Sequence, residues 1–297
     1  MILSQLDFMD ALIKHGDIPT IKTNKKISFY NVPAGFDIET SSFYENGEKR
    51  AIMYEWTFGI GFASNGEIEY LITAGRTWDE FDILLSALSS WLNLEPESRR
   101  LVVYVHNFPY EWQFIRKRFT WNKVFLIDDR KPVYAITESG IEFRCSLKLS
   151  GKSLANTAKD LIKYKTEKMV GDLDYNLIRH SETPLTEQEW RYCENDVKVI
   201  LAYIQEKIES DGDITRIPLT KTGYVRRYCK HGCFPDGERE ELQDVYSDLE
   251  FECQGVSRVE RSVRRRIYPR ESEESRGDSS ESWFIRLHEF LSSGDSF

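Results

Sequence analysis

The order of the apolar segments between residues 26 and 210 constrains the fold most strongly. Three short segments rich in β-branched and aromatic residues follow one another at 32–40, 56–64 and 67–73, separated by Gly, Asn and charged residues. This pattern is typical of consecutive strands joined by hairpins. From residue 78 onward, helical and strand-like segments alternate. Strands first and βα alternation afterwards predict an α/β fold, with a mixed sheet flanked by helices.

Periodicity and one capping motif locate the later elements. The segment 78–92 carries apolar side chains at helical spacing, which predicts a helix that covers the sheet. Thr186 and Glu189 form a capping box, which predicts a helix from there to about residue 207. Further strands are predicted at 99–107, 123–128, 133–139 and 141–147, and further helices near Glu111 and at 153–162.

Composition limits the class of protein. The chain has no run of about 18 apolar residues, the length that a membrane helix needs, and its N-terminus does not resemble a secretory signal. Five scattered cysteines do not resemble a disulfide framework, so we expect reduced thiols in the cytoplasm. A formal net charge of −9 argues against a protein that coats duplex DNA through a broad basic surface.

Two acidic residues interrupt the first strand. Asp37 and Glu39 lie in the apolar segment GFDIET, and residues two apart in a strand project from the same face. Two acids on one face near the sheet interior repel each other and lose hydration, which a divalent cation can compensate. A solvated strand face is the alternative interpretation, because acid pairs at this spacing are common in an acidic chain.

Two other segments carry polar groups at positions suited to a site. His106 and Asn107 end an apolar strand, where open α/β sheets place their ligand sites, and Glu111 follows in the first turn of a helix. Glu111 can also serve as a partner of the helix dipole. Tyr192 and Asp196 lie four residues apart and so share one face of the long helix. Their alternative interpretation is a packed tyrosine and a solvated aspartate.

Taken together, the three segments resemble a known family. DIET, HNFPYEWQF and YCEND resemble the three motifs of the proofreading 3′–5′ exonuclease domain of family B DNA polymerases, particularly the protein-primed type of small phages and linear plasmids. The resemblance extends over about residues 32–206. It implies a ribonuclease H-like fold and hydrolysis of DNA from its 3′ end.

The resemblance also implies roles for the acidic residues. Asp37, Glu39, Glu111 and Asp196 would hold two divalent ions, Mg²⁺ or Mn²⁺, for two-metal phosphodiester hydrolysis. Tyr192 would orient the attacking water. The second motif of the family commonly ends in Asp, whereas this chain has Glu111, which is one methylene longer and can alter metal preference.

A second set of residues would hold the single-stranded 3′ end of DNA. An aromatic ring can stack on a base, and the serine and leucine resemble a short primer-strand motif of the family. Lys168 lies two places from the position where an assisting lysine of the family aligns, so we predict no role for it. The predicted DNA-binding residues are Thr40, His106, Asn107, Tyr110, Ser146, Leu147 and Tyr175.

Composition changes abruptly near the end of the chain. Lysine occurs 18 times up to Lys230 and not afterwards, where Ser, Arg and Glu are abundant. Read one base forward through permissible codons, the segments 254–261 and 284–297 allow RGFHAWNA and SSDFTSSYPAVIL, which resemble polymerase motifs. We therefore predict an N-terminal extension (1–25), an exonuclease domain (26–210), the entry to a polymerase palm (211–232) and a disordered or frameshifted tail (233–297).

Three functions remain open at this point. The first is the exonuclease portion of a protein-primed DNA polymerase, without a polymerase site in this chain as written. The second is a stand-alone exonuclease of the same fold, which would lack the palm-entry segment at 217–229. The third is a non-catalytic module that binds single-stranded DNA or a terminal protein. We expect a cytoplasmic monomer in the host cell that does not associate with membranes.

Overall fold

The computed structural model describes residues 2–166, 168–169 and 177–233. The chain divides into a unit that ends at Tyr224 and a second unit, of which the described part is the end of a helix. The elements, in chain order, are α1 (Gln5–His15), β1 (Thr20–Lys22), β2 (Ser28–Tyr30), β3 (Ala34–Glu45), β4 (Glu48–Ser64), β5 (Glu67–Gly75), α2 (Trp78–Trp91), β6 (Arg99–Val105), α3 (Phe108–Ile115), β7 (Trp121–Asp128), β8 (Lys131–Thr137), β9 (Ile141–Cys145), α4 (Ser146–Ser150), α5 (Leu154–Lys159), α6 (Glu187–Asp211) and α7 (Lys221–Cys233).

The described strands form one mixed sheet. Its main path is β5-β4-β3-β6-β9-β8-β7, and the short pair β1–β2 joins it at the start of β6. β3, β4 and β5 are antiparallel, whereas β3, β6 and β9 run parallel. β7 and β8 extend the far edge with antiparallel pairing. The predicted α/β fold, a mixed sheet flanked by helices, is confirmed.

The long helix α6 begins where the capping motif predicts. The Thr186 side chain accepts a hydrogen bond from the backbone N–H of Glu189, and the Glu189 carboxylate accepts one from the N–H of Thr186. Both exchanges satisfy donors that a helix start leaves without partners. The helix ends at Gly212, which has a positive φ of 97°.

Two glycines let α6 approach the centre of the sheet closely. A Cβ atom added to Gly35 of β3 would lie 3.2 Å from Ile200 Cγ2, and one added to Gly59 of β4 would lie 3.0 Å from Leu201 Cδ1. Any larger side chain would therefore push the helix away. This close packing brings the first half of α6 to the polar residues of β3. Helices α1, α2 and α3 contribute to the main core cluster, a group of buried apolar side chains that includes Phe8, Phe81 and Phe108.

Several boundaries differ from those predicted. The segment 1–25 contains α1, whose Phe8 and Leu12 are fully buried in the main core cluster. Helix α3 begins at Phe108 rather than near Glu111, because Pro109 is compatible with a first helical turn. The strand predicted at 141–147 ends at Cys145, and a short helix follows from Ser146.

The end of the chain is described only in part. Helix α7 begins inside the predicted palm-entry segment (211–232) and ends one residue beyond it, at Cys233. The predicted disordered or frameshifted tail, apart from residue 233, lies outside the described residues. Among the helices that the structure describes, none combines the length and apolar character needed to cross a membrane.

Candidate metal centre

Three carboxylates meet where β3 and α6 pack together. Asp37 and Glu39 project from the same face of β3, and Asp196 lies in the first half of α6. One oxygen from each of the three groups lies within 4.8 Å of the others. Such a cluster can bind a metal ion through oxygen ligands.

The elements that carry these carboxylates are fixed by packing. β3 pairs with β4 along its whole length, and the register shifts between Glu39 and Thr40. The close contact of α6 with Gly35 places Asp196 over the strand, where it is only 4% exposed. Asp37 and Glu39 are half-buried. The cluster is therefore held by the sheet and its covering helix rather than by a loop.

A fourth carboxylate faces the cluster from α3. Glu111 is 3% exposed, and its negative charge raises the pKa of Asp37. Among the described residues, neither Glu111 Oε2 nor Asp196 Oδ1 has a hydrogen-bond partner, although both atoms are buried. Buried carboxylate oxygens need a partner, and a divalent cation would supply one to both. The four predicted metal ligands therefore fit an ion.

Burial and mutual repulsion raise the pKa values of the acids at the candidate metal centre. Burial, followed by the charges of Glu111 and Asp196, raises the pKa of Asp37 well above its usual value. Burial is also the main cause that raises the pKa of Glu39 to about 7 and that of Glu111 to about 8. In each case burial and neighbouring acids outweigh the groups of the protein that favour the ionised form. Bound cations would reverse these shifts.

The site also contains a lysine for which the sequence predicted no role. Lys168 Nζ lies 3.0 Å from Asp196 Oδ2 and 5.3 Å from the centre of the Tyr192 ring. Burial raises the pKa of Asp196, and the ammonium group of Lys168 partly opposes that shift. Lys168 precedes the long helix by about 20 residues, and no spacing in the sequence links it to Asp196.

A further buried acid was also missed. Glu55 of β4 is 1% exposed and lies opposite Glu39 in the strand register. Burial is the main cause that raises its pKa to about 8. A single acid within the apolar segment IMYEWTFGI was the available signal, because an apolar strand rarely buries a lone carboxyl group.

Four of the seven predicted DNA-binding residues form two hydrogen-bonded pairs. The Thr40 and Tyr110 hydroxyls are hydrogen-bonded to each other, and Tyr110 is 41% exposed. His106 Nδ1 lies 3.1 Å from Ser146 Oγ. Burial, helped by the charge of Lys168, lowers the pKa of His106 to about 4, so its imidazole is neutral at pH 7.

The remaining predicted residues differ in position. Asn107 is exposed and has a left-handed backbone with φ 69°, at the turn between β6 and α3. Leu147 packs against the main core cluster, which suits a supporting role. Tyr175 lies outside the described residues.

An ion pair anchors the chain on the far side of that undescribed segment. Arg179 Nη2 lies 2.7 Å from Glu189 Oε1, and its backbone N–H donates to Ser41 Oγ at 2.8 Å. Both partners of the ion pair are buried. Arg179 thereby ties the chain entering α6 to β3, two residues beyond Glu39.

Comparison with known proteins finds likeness at the level of structure. The sequence matches no protein-family model and shows no significant match to a curated protein. The fold is similar to that of Phi29 DNA polymerase in its orthorhombic crystal form, with a TM-score of 0.45 and 17% identity, covering 66% of this chain and 34% of the polymerase. For Phi29 DNA polymerase complexed with single-stranded DNA, the TM-score is 0.39 and the identity 20%, covering 60% of this chain and 32% of the polymerase. The chain thus spans about a third of the length of these polymerases.

Proposed function

We propose that this chain is a two-metal 3′–5′ exonuclease that hydrolyses single-stranded DNA from its 3′ end. The observation that carries the proposal is the group of four carboxylates, Asp37, Glu39, Glu111 and Asp196, in which buried oxygens of Glu111 and Asp196 have no hydrogen-bond partner among the described residues. They come from a strand, a strand-to-helix turn and a helix, in the order of the three motifs that the sequence resembles. A solvated acidic surface does not account for buried oxygens without partners.

The donor set favours hard divalent ions. All four candidate ligands offer carboxylate oxygens, which suit Mg²⁺ or Mn²⁺. Two such ions, when bound, supply an activated water and stabilise the leaving 3′-oxygen of the scissile bond. In the reaction, water adds to the terminal phosphorus, the bond to the 3′-oxygen of the preceding nucleotide breaks, and a 5′-mononucleotide leaves.

Two other side chains assist at the cluster. Tyr192 lies one helical turn before Asp196, and its hydroxyl would orient the attacking water. Lys168 contacts Asp196 and lies over the Tyr192 ring, so its ammonium group would keep Asp196 ionised and Tyr192 in place. Both roles depend on side chains that meet at one end of α6.

The substrate is held beside the carboxylates. Tyr110 would stack on a base near the 3′ end, a contact worth about 1–3 kcal/mol, and Thr40 fixes its hydroxyl. Asn107 and the His106–Ser146 pair would contact the sugar and phosphate groups, with Leu147 behind them. A DNA contact by Tyr175, which lies outside the described residues, rests on the sequence resemblance alone. A neutral His106 accepts or donates a hydrogen bond without adding charge.

The wider context is a protein-primed family B DNA polymerase. In that setting the chain would proofread newly made DNA in the cytoplasm of the host cell. It would act as a monomer with respect to other copies of itself, next to a terminal protein.

A nuclease assay tests the proposal. The full chain is incubated with Mg²⁺ and single-stranded DNA labelled at its 5′ end, so that digestion from the 3′ end gives a descending ladder. We expect wild type to produce the ladder and Asp37→Ala to be slower by about 10³-fold, which corresponds to about 4 kcal/mol of transition-state stabilisation. Asp79→Ala, which changes an exposed acid on α2, is the matched control. Equal digestion by wild type and Asp37→Ala would show that these carboxylates are not catalytic.

A further inference from the structure

Glu55 differs from the other acids near the site in its surroundings. It is 1% exposed on β4 and lies opposite Glu39, while the next inward-facing residue of β4, Thr57, lies opposite Asp37. The three carboxylates that come within 4.8 Å of one another do not include it and, unlike Glu111, it has no buried oxygen without a hydrogen-bond partner among the described residues. Glu55 is therefore set apart from the four candidate ligands.

Two neutral donors converge on Glu55. The Thr57 hydroxyl donates a hydrogen bond to Glu55 Oε1, and the Cys193 thiol is hydrogen-bonded to the same carboxyl group. Thr57 is fully buried and Cys193 is 3% exposed. The nearby cation, Arg76, donates hydrogen bonds to the backbone carbonyls of Tyr54 and His180.

These contacts connect β4, which pairs with the ligand-bearing strand β3, to the ligand-bearing helix α6. Cys193 lies three residues before Asp196 and so faces the same side of α6. Glu55 thus bridges β4 to α6 at the place where Glu39 of β3 meets Asp196. Buried groups that orient ligands in this way affect metal affinity strongly, because removing them typically lowers it by about 10–100-fold.

We propose that Glu55 is a positioning residue, which, through Thr57 and Cys193, holds Glu39 and Asp196 at the separation that bound divalent ions require. The proposal rests on the metal site of the proposed function. A plain structural role would also explain a buried hydrogen-bonded acid, but it predicts a change in stability without a specific change in ion affinity.

Thermal unfolding of the full chain with increasing Mn²⁺ tests this idea without a nuclease assay. The readout is the Mn²⁺ concentration that gives half of the maximal increase in melting temperature. We expect Glu55→Gln, which keeps the size of the side chain and removes its acidity, to raise that concentration by about 10–100-fold. Thr73→Val, which removes a buried hydroxyl from the neighbouring strand β5, is a matched control and should leave it unchanged.

Substitutions of Cys193 provide a second readout if Glu55→Gln folds poorly. Cys193→Ser keeps a donor and should retain the wild-type Mn²⁺ dependence, whereas Cys193→Val removes the donor and should shift it in the direction of Glu55→Gln. Unchanged dependence in both Glu55→Gln and Cys193→Val, with wild type responding to Mn²⁺, would overturn the positioning role alone. No response in wild type would overturn both this role and the metal site. If wild type responds to Mn²⁺ and both Glu55→Gln and Cys193→Val shift that dependence, but wild type has no nuclease activity, the proposed function is contradicted and the positioning role is supported.

Discussion

The same sheet buries acidic residues in two contrasting ways. In the first region, β9 carries Glu142, whose carboxylate lies 3.1 Å from Arg100 Nη1 and 2.7 Å from Arg144 Nη2. Burial alone would raise the pKa of Glu142, but the two guanidinium groups lower it below its usual value. In the second region, Asp37 and Glu39 have raised pKa values, because burial and neighbouring acids outweigh the cations nearby.

This contrast separates an acid that is paired within the protein from the acids of the candidate metal centre. Two arginines contact one buried glutamate on β9, whereas among the described residues the four acids at the candidate metal centre have one lysine, Lys168, in direct contact with them. Groups whose ionised form the protein does not stabilise are typical of sites that receive a ligand. The raised pKa values of Asp37 and Glu39, together with the carboxylates that cluster around them, are therefore the property that points to bound cations.

Neutralising one acid in each region should give opposite effects on stability without divalent ions. Glu142→Gln leaves two buried arginines without a counter-charge, so we expect the free energy of unfolding to fall by about 3–5 kcal/mol. Glu39→Gln removes repulsion and should leave stability unchanged or raise it. Chemical denaturation with a chelator present measures both. A large loss for Glu39→Gln would show that its charge is already compensated by the protein.

The two regions should also respond to pH in opposite directions. Glu39 and Glu111 have folded pKa values raised to about 7 and about 8, so their contribution to stability is complete below about pH 4.5 and is lost as the pH rises through 7 to 8. The pKa of Glu142 is lowered, so its contribution is present above about pH 4.5 and is lost on acidification.

Difference curves against the glutamine variants isolate these contributions. Relative to wild type, metal-free Glu39→Gln should gain on the order of 2 kcal/mol between pH 5 and pH 8. The loss caused by Glu142→Gln should shrink as the pH approaches 4. Parallel curves for the two variants would contradict the distinction between the regions.

Removing the lysine sharpens the contrast further. Lys168→Gln deletes the cation in contact with Asp196, so the pKa of Asp196 should rise further. The acid limb of the nuclease pH profile should move to higher pH. Lys163→Gln, which removes an exposed lysine paired with Glu209, is the control and should leave the profile unchanged. An unshifted profile for Lys168→Gln would mean that this contact does not affect catalysis.

The sequence predicted which elements carry the candidate metal ligands, but not which other side chains lie next to those ligands. Period-two spacing placed Asp37 and Glu39 on one face, and the capping box at Thr186 fixed the start of the helix that carries Asp196. Both signals are local. Lys168 and Glu55 reach the site through tertiary packing, which no spacing in the chain reveals.

The sequence also did not show which side chains of distant elements contact each other. The pairing of Arg100 with Glu142 depends on the register between β6 and β9, which a single sequence does not fix. The pairing of Arg144 with Glu142 is local, because the two residues lie two apart on β9. The sequence of the predicted extension at 1–25 also did not indicate that Phe8 and Leu12 are buried in the main core cluster. Their helix packs on a strand almost 60 residues later in the chain.

Crystals of the full chain soaked in Mn²⁺ provide the most direct test that the carboxylate group is a two-ion site. Anomalous scattering from manganese locates each ion independently of any activity. We predict two peaks about 3.5–4 Å apart, in contact with Asp37, Glu39, Glu111 and Asp196. A single peak, or none between β3 and α6, would contradict the two-metal account.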